Sequence, residues 1–361
     1  MARRFGGVKK LDSGQYLARY TDPRTGKRVS APKTFRRQRD ALDWLVGVEA
    51  DLNRGVAQDY SSGKIRLSDW CDLWVANRKG AVKVRTFEGY ESNIKVHIKP
   101  YLGHLRLHDI SPEIVRRWLD ERRATGKHPA AAQAYRTLAA IMKAAVEDRR
   151  IPSSPCTVSG GGKTPSTEVV FLTSEECSRL VNAMDERFRM LVALAAVTGF
   201  RWGELLGLRV KDFDSKRSTI TVHRQIVETK AGHAVGTPKS KAGLRSVALP
   251  TWIIDPLLEH IERYCDGNTY LFVMPDGSHP RRSNFNRRYW KPAKEAAGVP
   301  ARLRLHDLRH TMASLALDAG ANMLLIQKRL GHANISTTLG TYSHLLPAAD
   351  QQVADAMVSL F

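Results

Sequence analysis

Cysteine is scarce in this chain. Four occur in 361 residues, Cys71, Cys156, Cys177 and Cys265, and no two form a C-x-x-C pair. That spacing excludes a zinc finger and a disulfide framework and suits a reducing compartment. Long apolar runs are missing too. The longest, Met190–Val197, is eight residues, against the roughly 20 that a spanning helix needs. The N-terminal MARRFGGVKK is charged and leads into no apolar segment, so no signal peptide is expected. No internal repeat or low-complexity tract is present. Acidic residues are few: 36 Asp and Glu face 57 Lys and Arg, a net charge of +21 with a pI near 10.1. Such an excess points to a polyanionic partner, nucleic acid before an anionic membrane. At 42% hydrophobic residues the chain can still bury real cores, and its length allows two or three domains.

The excess is concentrated at the start. Residues 1–39 hold twelve Lys and Arg against Asp12 and Asp22. Gln15–Tyr20 alternates like a strand, Thr21–Gly26 has turn chemistry, and Lys27–Phe35 reads as a returning strand whose Pro32 suggests an edge. Leu42, Leu45, Val46 and Leu52 then mark a helix. A small sheet backed by one helix spans residues 1–60, with Ser61–Lys64 as a linker.

Residues 65–152 read as four helices. Trp70, Leu73 and Trp74 mark the first. Thr86 looks like an N-cap of the second, which carries Phe87, Tyr90 and Ile94. His97–Gly103 separates it from the third, begun at Ser111-Pro112. Ala130–Arg150 supplies the fourth. Ile151–Thr167, with three Pro, a triple Gly and no apolar periodicity, reads as a flexible linker. Gly162-Lys163-Thr164 is no phosphate loop, because Thr157 stands where the first glycine of that motif belongs and no strand precedes it.

Residues 168–361 carry the chemistry. Thr173-Ser174-Glu175-Glu176 has a capping-box pattern. The apolar Met190–Val197 runs into Thr198-Gly199-Phe200-Arg201-Trp202-Gly203-Glu204-Leu205, where Arg201 precedes a short helix whose amides also favour an anion. Residues 217–249 read as β with a turn at Thr237–Gly243, Thr251–Tyr264 as a helix with a break at Pro256, Tyr270–Val273 as a short strand, and Ser283–Ala297 as a basic helix. His306 and Arg309 open a further helix and share one face at i, i+3. Leu324–Leu330 forms another, ended by Gly331, so that His332 sits just past a helix end. Tyr342 follows a Thr- and Gly-rich passage. A phenol is a nucleophile when its charge is managed, and a guanidinium grips a phosphate with two donors. His306 and His310 at i, i+4 invite a zinc reading. Asp307 stands where the metalloprotease box has Glu, no third ligand is evident, and Arg309 between them would repel a cation. No metal is expected.

His306-Asp307-Leu308-Arg309-His310, Leu330-Gly331-His332 and Tyr342 together resemble the tyrosine recombinase, or phage integrase, family. The Thr198–Leu205 segment resembles the family's T-G-x-R-x-G-E-L box, and His97–Gly103 the H-I-x-P-x-L-G passage of its core-binding domain. The resemblance implies a multidomain, mainly α protein. Residues 1–60 would be an arm-type DNA-binding domain of small β-sheet plus helix, residues 65–152 a four-helix core-binding domain, and residues 168–361 an α+β catalytic domain. It implies Arg201, Lys239, His306, Arg309, His332 and the nucleophile Tyr342 as catalytic residues, with Lys241 as a rival to Lys239 and Arg245 as the downstream arginine of the lysine pattern. Glu204 and His310 would support them, and Arg19, Arg28, Lys83, Arg85 and Lys95 would contact DNA. The implied reaction is cleavage and rejoining of DNA through a 3′-phosphotyrosine, without cofactor, giving integration and excision of mobile DNA. The implied partners are double-stranded attachment sites of core and arm type, a homotetramer on synapsed DNA, a DNA-bending host factor and an excisionase, in a bacterial host cytoplasm with no membrane. The apolar end, Val353, Ala356, Met357 and Leu360, would form a small helix on its own domain or on a neighbouring protomer. A conjugative-transposon integrase, a DNA-binding regulator that keeps the fold and a type IB topoisomerase-like enzyme are the alternatives.

Overall fold

A computed structural model describes residues 5–23, 26–31, 33–53, 62–164, 168–238, 241–265 and 270–331. The chain falls into two units, Met1–Ser166 and Thr167–Phe361.

In the first unit, strands β1 (Gly7–Lys10), β2 (Tyr16–Thr21) and β3 (Arg28–Ser30) form an antiparallel sheet in that order, and helix α1 (Gln38–Asn53) packs on it. The sequence reading missed β1, since Val8 is its only apolar residue. It also made the returning strand too long: β3 stops at Ser30, and Phe35 makes only an isolated bridge to Tyr16. Pro32 lies outside the described residues. Ala18, Tyr20, Ala41, Leu45 and Val48 form the core. The register pairs Lys9 with Leu17, Arg19 with Ser30 and Thr21 with Arg28. Alternation then puts Lys9, Arg19 and Arg28 on the face away from that core.

A separate core joins α2 (Leu67–Ala76), α3 (Val84–Asn93), α4 (Lys99–Leu102), α5 (Pro112–Ala124) and α6 (His128–Glu147). Trp70 and Trp74 are buried in it, whereas Leu73 is exposed. Thr86 is no cap: α3 begins at Val84, with Lys83 at its N-cap. Nor does His97 break the helix. Ile94–Ile98 makes a π-turn that leads directly into α4, and the helical path ends at Gly103. The wider turn sets Pro100 in a fresh first turn, where its missing N–H breaks no ladder bond. Ser111 caps α5, its Oγ accepting from the Ile114 amide at 3.3 Å. Two of the buried polar groups pair across helices: Asn93 donates to Thr137 Oγ1 at 2.9 Å, and the Trp70 indole to the Ile141 carbonyl at 3.1 Å.

Neither glycine-bearing linker reads as free in its described part. The Gly63 carbonyl bonds His108 Nδ1 at 2.8 Å, and a Cβ there would lie 2.6 Å from the Arg150 carbonyl. Residues 151–164 lie along α6. The Val158 amide donates to the Tyr135 hydroxyl at 2.9 Å, and Gly161 sits on the Tyr135 ring. These glycines are there for close approach, not for flexibility.

The second unit begins with α7 (Ser174–Ala183), whose capping box between Thr173 and Glu176 is complete. Next comes α8 (Glu186–Thr198), buried on nearly every side through Phe188, Leu191, Val192, Leu194 and Ala195. Helix α9 (Trp202–Gly207) follows. Strands β4 (Phe213–Asp214), β5 (Thr219–Val222) and β8 (Arg245–Ala248) form one antiparallel sheet, and β6 (Gln225–Thr229) and β7 (Gly232–Gly236) a hairpin. In α10 (Ile254–Tyr264) Pro256 is the third residue. Its missing N–H is one that the first turn leaves unpaired anyway, so no break occurs there. Tyr270–Val273 is not a strand: Tyr270 bridges Arg209, and Leu271–Val273 pass buried through the core. The basic helix is α11 (Arg282–Phe285), a π-turn Asn286–Trp290 and α12 (Lys291–Ala297), a second π-turn placed directly before a Lys-Pro. Helices α13 (Asp307–Asp318) and α14 (Met323–Leu330) complete the described chain; α13 packs on α8 and α14 on β8. No helix among the described residues is long and apolar enough to cross a membrane.

Gly161→Ala tests the close approach. The added Cβ would stand 2.7 Å from Tyr135 Cζ, and the hydroxyl's bond to Val158 keeps that ring from moving aside. A loss of about 1–3 kcal/mol in urea unfolding is expected. An unchanged midpoint would show that residues 151–164 are not held against α6.

Candidate active site

The site is built where two helices end and one begins. Helices α8 and α14 both stop at a left-handed glycine, Gly199 (φ 65°) and Gly331 (φ 65°). Neither position has room for a side chain. A Cβ on Gly199 would lie 2.6 Å from Met312 Cε, and one on Gly331 2.8 Å from the Ala242 carbonyl. Arg309, on the first turn of α13, ties the two ends together. Its Nη1 donates to the Gly199 carbonyl and its Nη2 to the Leu330 carbonyl, both at 2.6 Å. The residue is 2% exposed. Two bonds to fixed carbonyls set the plane of the guanidinium.

Two residues beyond Gly199, Arg201 is the N-cap of α9. The Glu204 carboxylate accepts from the Arg201 backbone amide at 3.0 Å and from its Nη1 at 2.8 Å. The same carboxylate accepts from Arg245 Nη2 at 2.9 Å. Glu204 is 2% exposed, the Arg245 side chain 7% and the Arg201 side chain 31%. Arg201 is thus the member of this ion triad that reaches solvent. Burial alone would raise the Glu204 pKa, but the bonds and charges of Arg245 and Arg201 outweigh it and hold the carboxyl below its usual range.

His306 is the N-cap of α13; part of its side chain is open to solvent while neighbouring groups crowd the ring. Its ring stands edge-on to that of His310, centroids 5.3 Å apart at 90°. Lost hydration, then the charges of His310, Arg309 and Arg201, push its imidazole down to about 4, against a smaller opposing pull from Asp307. His306 is therefore neutral at pH 7. Asp307 is fully buried and gripped by Arg304, whose Nη2 donates at 2.6 Å and whose backbone amide donates at 2.8 Å. The residue that a zinc box would use as its acid is instead a structural anchor for the start of α13. His310 is also shifted down, chiefly by burial.

Of the residues expected from the sequence, Arg201, Glu204, His306, Arg309 and His310 come together here. Lys239, His332 and Tyr342, and the tail helix, lie outside the described residues. Lys83, Arg85 and Lys95 are exposed along α3 and its π-turn, and Arg28 is exposed on β3. Arg19 is half-buried, its Nε without a hydrogen-bond partner. Sequence reasoning named Arg245 only as the downstream arginine of the lysine pattern, without its bonds to Glu204 and to the end of α14. It missed Arg329, whose Nη2 donates to the Val197 carbonyl at 2.8 Å and to the Ala248 carbonyl at 3.0 Å. Beside these residues lies an apolar groove of about 580 Å³ lined by Val197, Val247, Met312, Ala316, Leu325 and Ile326, among others.

Two outcomes follow. Glu204→Ala leaves Arg245 buried without its counter-charge and should cost about 3–5 kcal/mol at pH 7 in urea unfolding. Glu204→Gln, which keeps the shape, should cost less, and a neutral effect from the Ala variant would contradict the shared carboxylate. The pH dependence has a definite sign. The Glu204 contribution is full at neutral pH and is lost as pH falls through its lowered folded pKa. His306 titrates near 4 folded and 6.5 unfolded, so the unfolded chain takes up the proton first. Stability should fall between pH 6.5 and 4 for this residue and be flat above. An NMR titration with a His306 midpoint near 6.5 would contradict this.

Comparison with known proteins agrees with this architecture. The model of the Phage integrase family matches residues 170–348, that of the phage integrase N-terminal domain residues 4–54, and that of the phage integrase N-terminal SAM-like domain residues 66–121. A prophage phiRv2 integrase of Mycobacterium tuberculosis is 32% identical over 99% of this chain and 96% of its own length. Among solved structures, a Tn1549 transposon integrase in complex with transposon right end DNA shares the fold with a TM-score of 0.70 at 21% identity, over 80% of this chain and 99% of that one. A lambda integrase dimer bound to a core site does so with a TM-score of 0.61 at 21% identity, over 94% of this chain and 96% of that one. The chain therefore belongs to the phage integrase family of tyrosine recombinases, enzymes that cleave and rejoin DNA.

Proposed function

We propose that this recombinase integrates and excises a mobile DNA element by attacking a phosphodiester with Tyr342. The non-bridging oxygens of a phosphodiester repel a nucleophile. Arg201 and Arg309 neutralise them and stabilise the charge of the pentacoordinate transition state, with His332 as a further donor. The phenol oxygen of Tyr342 forms a bond to phosphorus while the bond to the 5′-oxygen breaks. His306 takes the phenol proton, and Lys239, or Lys241 in its place, gives a proton to the leaving 5′-oxygen. The 3′-phosphotyrosyl link conserves the energy of the broken bond, so the 5′-hydroxyl of a partner strand can reverse the step without ATP or metal. Glu204 orients Arg201, and His310 backs His306.

The observation that carries this reading is the ion triad at Glu204 beside Arg309, a preformed set of guanidiniums with a neutral imidazole next to it. Arg201, its most exposed member, is the one placed to meet a phosphate. A base must be unprotonated to work, and His306 meets that condition at pH 7.

Three parts divide the labour. Residues 1–60 bind arm-type DNA through the outward sheet face with Lys9, Arg19 and Arg28. Residues 65–152 clamp core-type DNA with Lys83, Arg85 and Lys95, and residues 168–361 perform the chemistry. Two sites come together in a homotetramer, assisted by a DNA-bending host factor and an excisionase in the bacterial host cytoplasm. The apolar groove beside α14 suits the chain's own apolar end, Val353–Leu360, supplied by a neighbouring copy. The full-length match to a prophage integrase favours a phage element over a conjugative transposon.

The test is a denaturing gel of the protein with nicked core-site DNA, run beside Tyr342→Phe without metal or ATP. A protein–DNA band in the wild type that disappears in the variant is the expected result. A band that persists would move the nucleophile to another residue. Bound DNA with no band in either would favour a regulator that keeps only the fold.

A further inference from the structure

Arg245 has no role in the reaction as derived above, yet its guanidinium is bonded to three separate segments beside the site. Its Nη2 donates to Glu204 at 2.9 Å, its Nε to the Arg329 carbonyl at 2.6 Å and its Nη1 to the Gly243 carbonyl at 3.0 Å. Its guanidinium lies 4.8 Å from the centre of the Phe200 ring. The three bonds run to three separate segments: the Arg201–Glu204 box, the C-terminal end of α14 one residue before Leu330, and the turn that closes loop 237–243.

That loop contains Lys239 and Lys241, and its described flanks are fixed. The Thr237 carbonyl accepts from Gln225 Nε2 at 2.7 Å. Pro238 is buried, and a Cβ on Gly243 would lie 2.6 Å from its Cβ. The Ala242 carbonyl abuts Gly331. Among the described residues, Arg245 joins the Gly243 end of this loop to the Arg201–Glu204 box and to the end of α14. Lysine could not substitute, since a point charge has no fork with which to hold three acceptors in one plane.

We propose that Arg245 is a positioning residue that holds the lysine-bearing loop in register with the scissile phosphate, so that a proton reaches the leaving 5′-oxygen; this rests on the reading of a loop lysine as the acid. Without Arg245 the phosphate is still gripped by Arg201 and Arg309, but the acid is out of place. The defect belongs to the leaving group, and it can be bypassed. In a substrate with sulfur at the bridging 5′ position, attack by Tyr342 forms the same oxygen–phosphorus bond. The phosphorus–sulfur bond breaks, and the thiolate departs with its electron pair and needs no proton.

The experiment compares single-turnover cleavage of nicked core-site DNA carrying either a 5′-oxygen or a 5′-sulfur at the scissile bond. Wild type, Arg245→Lys, Arg245→Ala, Lys239→Ala and Lys241→Ala are measured, with DNA affinity and melting temperature for each. For Arg245→Lys we expect at least a tenfold loss of rate on the oxygen substrate, most of it regained on the sulfur substrate, with DNA affinity within twofold of wild type. Equal loss on both substrates beside a rescued lysine variant would overturn the role of Arg245, as would an unimpaired rate on the oxygen substrate. A fall in affinity and melting temperature that tracks the loss of rate would reduce Arg245 to a purely structural residue. Arg245 variants rescued while neither lysine variant is rescued would instead overturn the lysine reading and leave the anchored loop as the source of the proton. The Ala and Lys variants guard each other, since a folding failure in Arg245→Ala leaves the Arg245→Lys comparison intact.

Discussion

The arginine cluster of the second unit is organised by one buried carboxylate held between two guanidiniums. Glu204 is almost fully buried, a position that normally disfavours an ionised acid. It remains ionised because Arg245 and Arg201 both donate to it, and its lowered pKa records that balance. The dependence is mutual. Arg245 is itself buried, and Glu204 and two backbone carbonyls accept from it in place of water. Breaking such a pair is costly even where forming it gains little net stability, since the remaining charge has nowhere to go. The triad is therefore better understood as a device that specifies geometry than as a source of stability.

Around the triad, backbone does what side chains cannot. Gly199 and Gly331 end α8 and α14 in the left-handed region, and each turn brings carbonyls inward, where Arg309 and Arg245 collect them. Cations at the C-terminal end of a helix are also favoured by its dipole. The last turn of α14 is accordingly held by Arg245 and Arg309 from outside and by its own Arg329 from within.

Much of this site was legible in the sequence because its key spacings are local. His306 and Arg309 share a helical face by periodicity alone, Gly331 marks a helix end, and the Thr198–Leu205 box puts Arg201 at a helix start with Glu204 three residues on. What could not be read is non-local. Nothing around Arg245 says that its partners are 41 and 84 residues away. The same limit explains the misread linkers: a triple glycine next to proline suggests freedom until the Tyr135 ring is found against Gly161. Both π-turns escaped for a related reason. Their sequences, Ile94–Ile98 and Asn286–Trp290, look like ordinary helix, and only the Lys-Pro that follows each tells why the turn widens. Strand β1 escaped because an exposed edge needs little apolar content to pair.

The arrangement also explains how a chain of net charge +21 can hold three arginines close together before any phosphate arrives. Left to themselves, Arg201, Arg245 and Arg309 would repel one another and the imidazole beside them. Glu204 cancels one charge, and carbonyl oxygens of Gly199, Gly243, Arg329 and Leu330 solvate much of the rest as fixed dipoles. The surplus is felt at His306, whose proton affinity is lowered partly by Arg309 and Arg201. A cluster whose guanidiniums are already held by fixed acceptors, beside an imidazole kept neutral, needs little reorganisation to meet an anion. The same surplus of positive charge that lowers the proton affinity of His306 favours an anion beside Arg201, the triad member open to solvent.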